Sequence, residues 1–354
     1  MINREMIVSS DDLFLVTGAA GFVGLEVIKS LLGSGFKNIR AFVRPSSNAI
    51  RLNYLESLFS GVRIQIIMGN LLSAEDCKKS MEDVYVVIHC AAGMEYKSYA
   101  EMYLNTVVTT RNLLNAAVAE RRVKRFVNVS SFAVYSSTSL RMGGLVDENC
   151  AIERNHKQRY DPYSYAKVKQ EEIVWEYYKK HRLPLVIVRP GAVYGPGGDA
   201  ITSRVGVGTF GIFIHLGGSN RIPFTYIDNC AEAIVLASIK QGIEGEDFNI
   251  VDDDLPTSRE FLRSYKAKVK SFRSLYIPYP VFYFLSFLWE KYSSWSKGQL
   301  PPVFNRRKSA ANWKANVYSN MKIKKMLGWK QRVATKEGME RHFEYLRKAR
   351  QMHA

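Results

Sequence analysis

Residues 17–24, TGAAGFVG, follow a short apolar run and lead into Phe22–Leu32, where apolar residues recur at helical spacing. This order predicts a β-strand, a glycine-rich turn and a helix, as in dinucleotide-binding βα units. Gly18 would let the chain turn off the strand, Gly21 would let a pyrophosphate approach the backbone, and Gly24 would let the helix pack closely. The start of the helix would offer free N–H groups and a positive dipole end to the phosphates.

The composition is that of a globular protein, because 47% of the 354 residues are hydrophobic and no low-complexity segment occurs. The four cysteines are scattered without metal-like spacing, which predicts reduced thiols and no metal site. Residues 1–12 have no apolar core of the kind found in signal peptides, so we expect a cytoplasmic protein.

The chain is strongly basic, with a formal net charge of +17, and residues 321–354 hold ten Lys or Arg against three Glu. A basic surface attracts nucleic acid, anionic lipid or anionic substrates. No nucleic-acid-binding motif accompanies it, so we expect a solvated basic face and no nucleic-acid partner.

Apolar strand-like runs alternate with helical stretches through the first half of the chain, which predicts right-handed crossovers and an α/β fold with a doubly wound parallel sheet, the Rossmann architecture. We assign residues 1–190 to the dinucleotide-binding domain and 191–354 mainly to substrate binding, interleaved with late sheet elements at about 222–250. The strands predicted after the first are Asn38–Arg44, Val62–Met68, Val84–Cys90, Phe126–Ser131 and Leu185–Arg189.

The end of the second strand bears on cofactor choice. An NAD-specific fold usually places Asp or Glu there, about twenty residues beyond the glycine turn, to bind the ribose 2′-hydroxyl. Arg44 occupies that place, and no acid occurs from Lys37 to Leu55. An arginine suits a 2′-phosphate, so the sequence favours NADP over NAD.

A proton-transfer group is predicted at the start of a later helix. Asp161 can cap that helix and Pro162 suits its first position. In this register Tyr163 lies one turn from Lys167 on the same face, Tyr165 points elsewhere, and a third tyrosine precedes the helix.

The chemistry of this pair follows from the tyrosine pKa, which is about 10 in a free side chain. A lysine ammonium and an oxidised nicotinamide would both favour the phenolate of Tyr163. Tyr163 could then exchange a proton with an alcohol or a carbonyl while hydride moves to or from the nicotinamide. Ser131, at a nearby strand end, could hold the substrate oxygen.

Together these motifs resemble the extended short-chain dehydrogenase/reductases, that is, the NAD-dependent epimerase/dehydratase family, across residues 12–250. The segment at 189–197 is similar to that of the 3β-hydroxysteroid dehydrogenase and dihydroflavonol reductase branch. The matching segments, in the family's order, are TGAAGFVG at 17–24, GNL at 69–71, HCAAG at 89–93, VSSFAVY at 129–135, YSYAK at 163–167, RPGAVYGPG at 189–197 and YIDN at 226–229.

The resemblance implies roles for individual residues. Ser131, Tyr163 and Lys167 would be the catalytic residues, Asn105 would support a proton relay, and Lys167 would also contact the nicotinamide ribose. The other implied cofactor contacts are Gly18, Gly21, Phe22 and Val23 at the pyrophosphate, Asn70 and Leu71 at the adenine, and Ala91, Ala92, Pro190 and Val193 at the nicotinamide.

The sequence departs from the family pattern at three places, and the last two limit which reactions we expect. Asn70 stands where the family usually has Asp. Ser131, followed by Phe and Ala, cannot replace the Thr-Asp-Glu set of nucleotide-sugar 4,6-dehydratases. Ala192 stands where sugar-nucleotide epimerases commonly have Asn. We therefore expect an enzyme that interconverts a ketone and a secondary alcohol; the alternatives are a UDP-sugar 4-epimerase with tightly bound NAD, and a non-catalytic dinucleotide sensor.

The expected substrate is bulky or lipid-like, because Leu275–Trp289 is apolar and aromatic. This stretch predicts either a helix packed on the substrate region or a segment lying on a membrane surface, and a homodimer is also compatible with it. The residues expected to contact substrate are Tyr194, Arg204, His215 and Arg221.

Overall fold

The structure, a computed structural model, describes residues 6–93, 98–136, 138, 140–155, 158–209, 211–296 and 299–352. Part of the N-terminal segment analysed for a signal peptide and part of the polar loop at 136–160 lie outside these residues. The strands, in chain order, are β1 Phe14–Thr17, β2 Asn38–Val43, β3 Arg63–Met68, β4 Val86–His89, β5 Arg125–Val129, β6 Leu145–Val146, β7 Leu185–Pro190, β8 Ala192–Tyr194, β9 Gly206–Thr209, β10 Ile212–His215, β11 Phe224–Tyr226, β12 Glu246–Ile250, β13 Ser274–Tyr276 and β14 Val317–Tyr318.

Helices alternate with these strands in the first half of the chain and dominate the last quarter. They are α1 Phe22–Gly33, α2 Ile50–Leu58, α3 Ala74–Met81, α4 Tyr99–Met102, α5 Thr109–Glu120, α6 Pro162–His181, α7 Ile227–Ile239, α8 Ser258–Lys268, α9 Tyr279–Trp295, α10 Arg306–Trp313, α11 Met321–Leu327 and α12 Thr335–Met352. None of the helices in the described ranges is long and apolar enough to cross a membrane.

The central layer is a seven-stranded sheet in the order β12-β7-β5-β4-β1-β2-β3. Every pairing in it is parallel. The chain starts at β1 in the middle and winds first to one edge and then to the other, which confirms the doubly wound parallel sheet predicted from the sequence. Strands β1, β4 and β7 are buried throughout, as expected where helices cover both faces of a parallel sheet.

Two apolar layers form the core on the two faces of this sheet. Successive residues of β1 alternate between them, so that Leu15 joins one layer with Phe126 while Val16 joins the other with Ile28. Helices α1 and α7 pack together on one face, and α3, α5 and α6 cover the other. The glycine-rich turn at residues 17–24 and the start of α6 therefore both lie at the carboxyl edge of the sheet, where doubly wound folds bind ligands.

The C-terminal part of the chain contributes to the sheet and is tied to the first half. Strand β12 completes one edge beside β7, and β14 pairs with β6 from the polar loop. A separate three-stranded sheet, in the order β13-β10-β9, packs against α9. The boundary near residue 190 stays a prediction.

A buried ion pair holds α6 against the sheet. The guanidinium of Arg189 on β7 donates from Nε and Nη2 to the two carboxylate oxygens of Glu171 on α6, at 2.9 and 2.7 Å. Both side chains are at most 4% exposed. Ser130 donates a further hydrogen bond to Glu171, and Arg189 also donates to Tyr135. Arg189 Nη1 is also paired with Asp247, which is less deeply buried. Removing Glu171 would leave the Arg189 charge buried with this single counter-ion.

We predict that Glu171→Leu lowers the free energy of unfolding by about 3 kcal/mol, because the Arg189 charge stays buried. The matched control is Glu172→Gln at the next position, where the partner Lys169 and Glu172 are exposed and the loss should stay below about 1 kcal/mol. Urea unfolding followed by circular dichroism measures both, and equal losses in the two variants would contradict the assignment.

Candidate active site

The glycine turn is fixed by contacts that only glycine permits. Gly18 has φ of +66°, and a Cβ there would lie 2.9 Å from the backbone nitrogen of Ala91. A Cβ on Gly24 would lie 2.2 Å from the carbonyl oxygen of Gly18, which accepts a hydrogen bond from the N–H of Gly21 at 2.9 Å. Gly24 is therefore required by the turn itself, whereas the sequence suggested close packing of the helix on the sheet.

The residues at this turn fit a dinucleotide pyrophosphate. Gly21 is the N-cap of α1 and provides no side-chain cap, and the first turn carries no acidic residue. The first N–H groups of α1, beginning at Phe22 and Val23, are therefore left for an anion. The glycine-rich segment after β8 packs on this end of the helix, since a Cβ on Gly198 would lie 2.9 Å from the ring of Phe22.

Two residues expected near the adenosine lie at neighbouring strand ends. Arg44 is exposed and directly follows β2, and Asn70 is exposed beyond β3. The two ends are joined because the N–H of Gly69 donates to the carbonyl of Val43 at 3.0 Å. Asn70 Oδ1 accepts from the N–H of Leu72, and Leu71 is buried.

Helix α6 begins as the sequence predicted. Asp161 caps it, with Oδ1 accepting from the N–H of Ser164 at 3.2 Å. The ring of Tyr165 packs against Tyr99 on α4, with 5.3 Å between ring centroids. Tyr163 is half-buried and lies one helical turn before Lys167. The predicted register of the tyrosines is thus confirmed for Tyr165, which is directed toward α4.

Two hydrogen bonds join α6 to the carboxyl end of β5 on either side of Ser131. The Lys167 ammonium donates to the carbonyl of Val129 at 2.8 Å, and Ser164 Oγ donates to the carbonyl of Ala133 at 2.7 Å. Ser131 Oγ accepts from the N–H of Ala133, so its own proton is available to another acceptor. The structure therefore brings Ser131 next to the helix that carries Tyr163 and Lys167.

The Lys167 ammonium is enclosed by the protein. The residue is 3% exposed, and Nζ also donates to Gln170 Oε1 at 3.0 Å. Burial lowers the pKa of Lys167 to about 8, because the low-dielectric surroundings disfavour the charged form. The ammonium still predominates at neutral pH.

A chain of buried hydrogen bonds connects Lys167 to the glycine turn. Gln170 Nε2 donates to Thr110 Oγ1, which is also bonded to His89 Nε2, each at 2.8 Å. His89 Nδ1 is bonded to Thr17 Oγ1 at 2.7 Å. Burial lowers the pKa of His89 to about 3, so its ring is neutral. No local pattern predicts these hydrogen bonds, because Gln170, Thr110, His89 and Thr17 are far apart in the sequence.

The segment opposite α6 contains an irregular helical turn. Between α4 and α5, residues Tyr103–Val108 form a π-helical turn. Asn105 lies in this turn, half-buried, with its amide donating to the carbonyl of Glu101 at 2.8 Å. Such turns are frequent at functional sites, where they re-aim side chains.

The residues expected beside the nicotinamide end the strands next to the turn. Ala91 and Ala92 are half-buried after β4, and the N–H of Ala91 donates to Thr17 Oγ1. Pro190 ends β7 and is buried, and Val193 is half-buried in β8. All four lie at the carboxyl edge of the sheet.

Two of the expected substrate contacts are corrected by the structure. Tyr194 is buried, and its hydroxyl donates to the carbonyl of Thr335, so it is a core residue. His215 Nε2 accepts from the N–H of Gly218 and is bonded to Ser258 Oγ, and burial lowers the pKa of His215 to about 4. Its ring is therefore neutral at physiological pH, and both contacts of Nε2 are within the protein.

The two expected arginines have different surroundings. Arg204 lines a small cavity beside Phe132 and the buried Arg159, and donates to the carbonyl of Ala311 at 3.2 Å. Arg221 is exposed and donates to the carbonyl of Leu255. Arg204 thus lies near Ser131, whereas no contact described for Arg221 joins it to α6.

A larger cleft of about 930 Å³ opens between α9, α10 and the polar loop at 136–160. Asn305 links it to α6, because its amide donates to the carbonyl of Arg159, and Arg159 donates to Ser164 Oγ. The lining side chains come from α9, α10 and this loop, and their positions follow from packing between segments that are distant in sequence. They include Thr138, Met142, Gln158, Tyr279, Pro280, Tyr283, Glu290, Arg306, Arg307, Ala310 and Lys314.

Comparison with known proteins places this site in a family. The family model described as the NAD dependent epimerase/dehydratase family matches residues 14–251. The dTDP-D-glucose 4,6-dehydratase of Dictyostelium discoideum is 27% identical over 69% of this chain, and the chain spans 60% of that protein's length. The mouse sterol-4-alpha-carboxylate 3-dehydrogenase, decarboxylating, is 25% identical over 94% of this chain and 91% of its own length.

The fold is also that of solved enzymes. The crystal structure of a UDP-glucuronic acid 4-epimerase from Bacillus cereus, in complex with NAD, superposes with a TM-score of 0.70 at 22% identity, covering 95% of this chain and 99% of the epimerase. The family match covers the glycine turn, both strand ends at the adenosine side and α6. The chain therefore belongs to the NAD dependent epimerase/dehydratase family and is an enzyme of the extended short-chain dehydrogenase/reductase type.

Proposed function

We propose that this enzyme interconverts a ketone and a secondary alcohol on a bulky, lipid-like substrate and prefers NADP to NAD. The observation that carries the proposal is the attachment of α6 to the end of β5, with Lys167 bonded to Val129 and Ser164 bonded to Ala133 on either side of Ser131. This arrangement supports a proton donor, its electrostatic partner and a substrate-binding hydroxyl at one edge of the sheet.

Each side chain has a distinct task in this proposal. When bound, the nicotinamide supplies or accepts the hydride. Tyr163 transfers the proton at the substrate oxygen, and the Lys167 ammonium stabilises its phenolate form. Ser131 donates its O–H to the same substrate oxygen, while one of its two lone pairs accepts from the N–H of Ala133.

The surroundings of the site favour this reaction over sugar-nucleotide chemistry. Phe132 is buried directly after Ser131, at a position where a dehydratase would need a carboxylate. Two of the cations that line the cleft are paired with carboxylates: Arg306 with Glu290 at 2.8 Å, and Arg307 with Glu153 at 3.5 Å. These pairs leave less positive charge for a diphosphate, and so support a substrate without one.

The length over which relatives align with this chain also supports ketone–alcohol chemistry over sugar-nucleotide chemistry. The mouse sterol dehydrogenase aligns over 94% of the chain, including the C-terminal part that lines the cleft, whereas the Dictyostelium dehydratase aligns over 69%. A UDP-sugar 4-epimerase remains the second candidate, because epimerases are among the solved structures that share the fold.

The cofactor preference is tested at Arg44. We predict that NADPH binds roughly tenfold or more tightly than NADH, because the guanidinium would make a charge-assisted hydrogen bond to the 2′-phosphate. Arg44→Asp should abolish or reverse that ratio, and cofactor fluorescence titration measures it. The control is Lys37→Asp, an exposed charge reversal just before β2, at the opposite end of the strand. Equal binding of both cofactors by the unmodified enzyme would contradict the preference.

The proton-transfer role is tested by two tyrosines of one helix. Tyr163→Phe should lower kcat for NADPH-dependent reduction of a steroid ketone by at least about a hundredfold, with little change in NADPH affinity, since only the ionisable oxygen is lost. Tyr165→Phe is the matched control and should retain turnover, because its ring packs on Tyr99. Loss of activity in Tyr165→Phe alone would show that the other face of α6 carries the chemistry.

A further inference from the structure

Helix α9 turns a continuous apolar stripe toward solvent. Its exposed members recur three or four residues apart, so they lie on one face. Phe284 is 58% exposed and Trp295 is 77% exposed. Solvent-facing stripes of this kind usually mark an interaction surface, because a soluble helix normally buries its apolar residues. The stripe, called here the outer face of α9, consists of Val281, Phe284, Leu285, Leu288, Tyr292 and Trp295.

The opposite face of the helix is more polar, yet it is the face that packs on the protein. The buried residues of α9 are Phe282, Ser286 and Ser293. Ser286 Oγ is bonded to Ser309 Oγ on α10 at 2.8 Å, and Ser293 Oγ donates to the carbonyl of Leu300 at 2.5 Å. Two hydrogen-bonded serines thus hold the helix against the protein. The side of α9 that faces the protein is therefore more polar than the side that faces solvent, the reverse of what is usual for a surface helix.

The C-terminal end of the outer face is aromatic. Tyr292 stacks on Trp295 there, with 5.8 Å between ring centroids. Leu285 and Leu288 precede this pair on the same face. Tyrosine and tryptophan are favoured where one side of a ring meets hydrocarbon and the other meets water. At 17 residues, α9 is about 25 Å long and is held flat against α10.

The sequence segment that contains this helix is basic. Residues 256–300 hold eight Lys or Arg against two Glu. Of those two, Glu290 is paired with Arg306 at 2.8 Å. Lys291 is exposed on α9 itself, and Arg273 is exposed directly before β13. A partner for the outer face must therefore offer an apolar layer bordered by negative charge.

We infer that the outer face of α9 docks on the surface of an anionic lipid bilayer, with the helix lying in the plane of the headgroup boundary. Leu275 and Tyr276 on β13, which are also exposed, extend the apolar surface next to the helix. A bilayer containing anionic lipids supplies both the hydrocarbon for the stripe and the negative charge for the surrounding cations. A second copy of this chain fits less well, because two chains of charge +17 repel each other.

This inference does not depend on the proposed reaction, but it has a consequence for it. Tyr279 and Tyr283 of α9 also line the 930 Å³ cleft. These two residues lie on the side of α9 away from the outer face, so docking would hold the cleft about one helix diameter, roughly 10 Å, from the bilayer in which a lipid-like substrate would be concentrated.

The test is flotation of the full chain with phosphatidylcholine vesicles, with and without phosphatidylserine. We expect the unmodified protein to float with the mixed vesicles and much less with phosphatidylcholine alone. Phe284→Glu/Leu288→Glu should weaken partitioning roughly tenfold or more, because two apolar contacts become charges. Both positions are exposed, so folding should be retained, and circular dichroism checks this. Brominated lipids should also quench the fluorescence of Trp295, an effect lost in Trp295→Phe.

The matched control is Tyr54→Glu/Leu58→Glu on α2, where two apolar side chains are similarly exposed at 63% and 56%. This variant should float like the unmodified protein. Absence of the unmodified protein from the vesicle fraction, or equal loss in both double variants, would overturn the inference. Equal flotation with both vesicle types would overturn the role of anionic lipid. A dimer in sedimentation velocity that Phe284→Glu/Leu288→Glu dissociates, without vesicle binding, would assign the face to a second copy.

Discussion

The hydrogen bond from the Lys167 ammonium to the carbonyl of Val129 is the contact on which the site depends. It holds a buried cation at the carboxyl end of β5 and sets the position of α6 against Ser131. Burial lowers the pKa of Lys167 to about 8, so the ammonium form still predominates at neutral pH. Deeper in the sheet, the Arg189–Glu171 pair holds the same helix one turn further along.

The buried chain from Gln170 through Thr110 and His89 to Thr17 extends this constraint to the glycine turn. Because His89 is neutral, the chain is a set of fixed dipoles and carries no further charge into the core. The turn that would hold the pyrophosphate and the helix that would act on the substrate are thus parts of one rigid edge of the sheet. Such rigidity suits proton transfer, which requires reacting groups to be held within hydrogen-bond distance.

Local patterns in the sequence were enough to predict the sheet, the cap of α6 by Asp161 and the direction of Tyr165, because these follow from periodicity and capping within a few residues. The remaining features depend on which side chains are buried, and that depends on segments distant in sequence. Tyr194 and His215 have the chemistry of substrate contacts, but distant segments, such as Thr335 and Ser258, enclose them. The π-helical turn at Tyr103–Val108 and the inverted polarity of α9 also depend on what packs against them, which no local pattern records.

The C-terminal part of the chain forms a cleft in which Arg306 and Arg307 are paired with carboxylates, and it carries the exposed outer face of α9. In the proposed function, the carboxyl edge of the central sheet performs a net ketone–alcohol interconversion. The most direct measurement incubates the enzyme with NADPH deuterated at its transferable position and a steroid ketone, and in a parallel reaction with a UDP-sugar, and analyses the products by mass spectrometry and chromatography. We expect an alcohol carrying the deuterium, with oxidised cofactor formed in equal amount. An unlabelled ketone in the first reaction, together with isomerisation of the UDP-sugar and no net change of cofactor in the second, would contradict the proposed reaction.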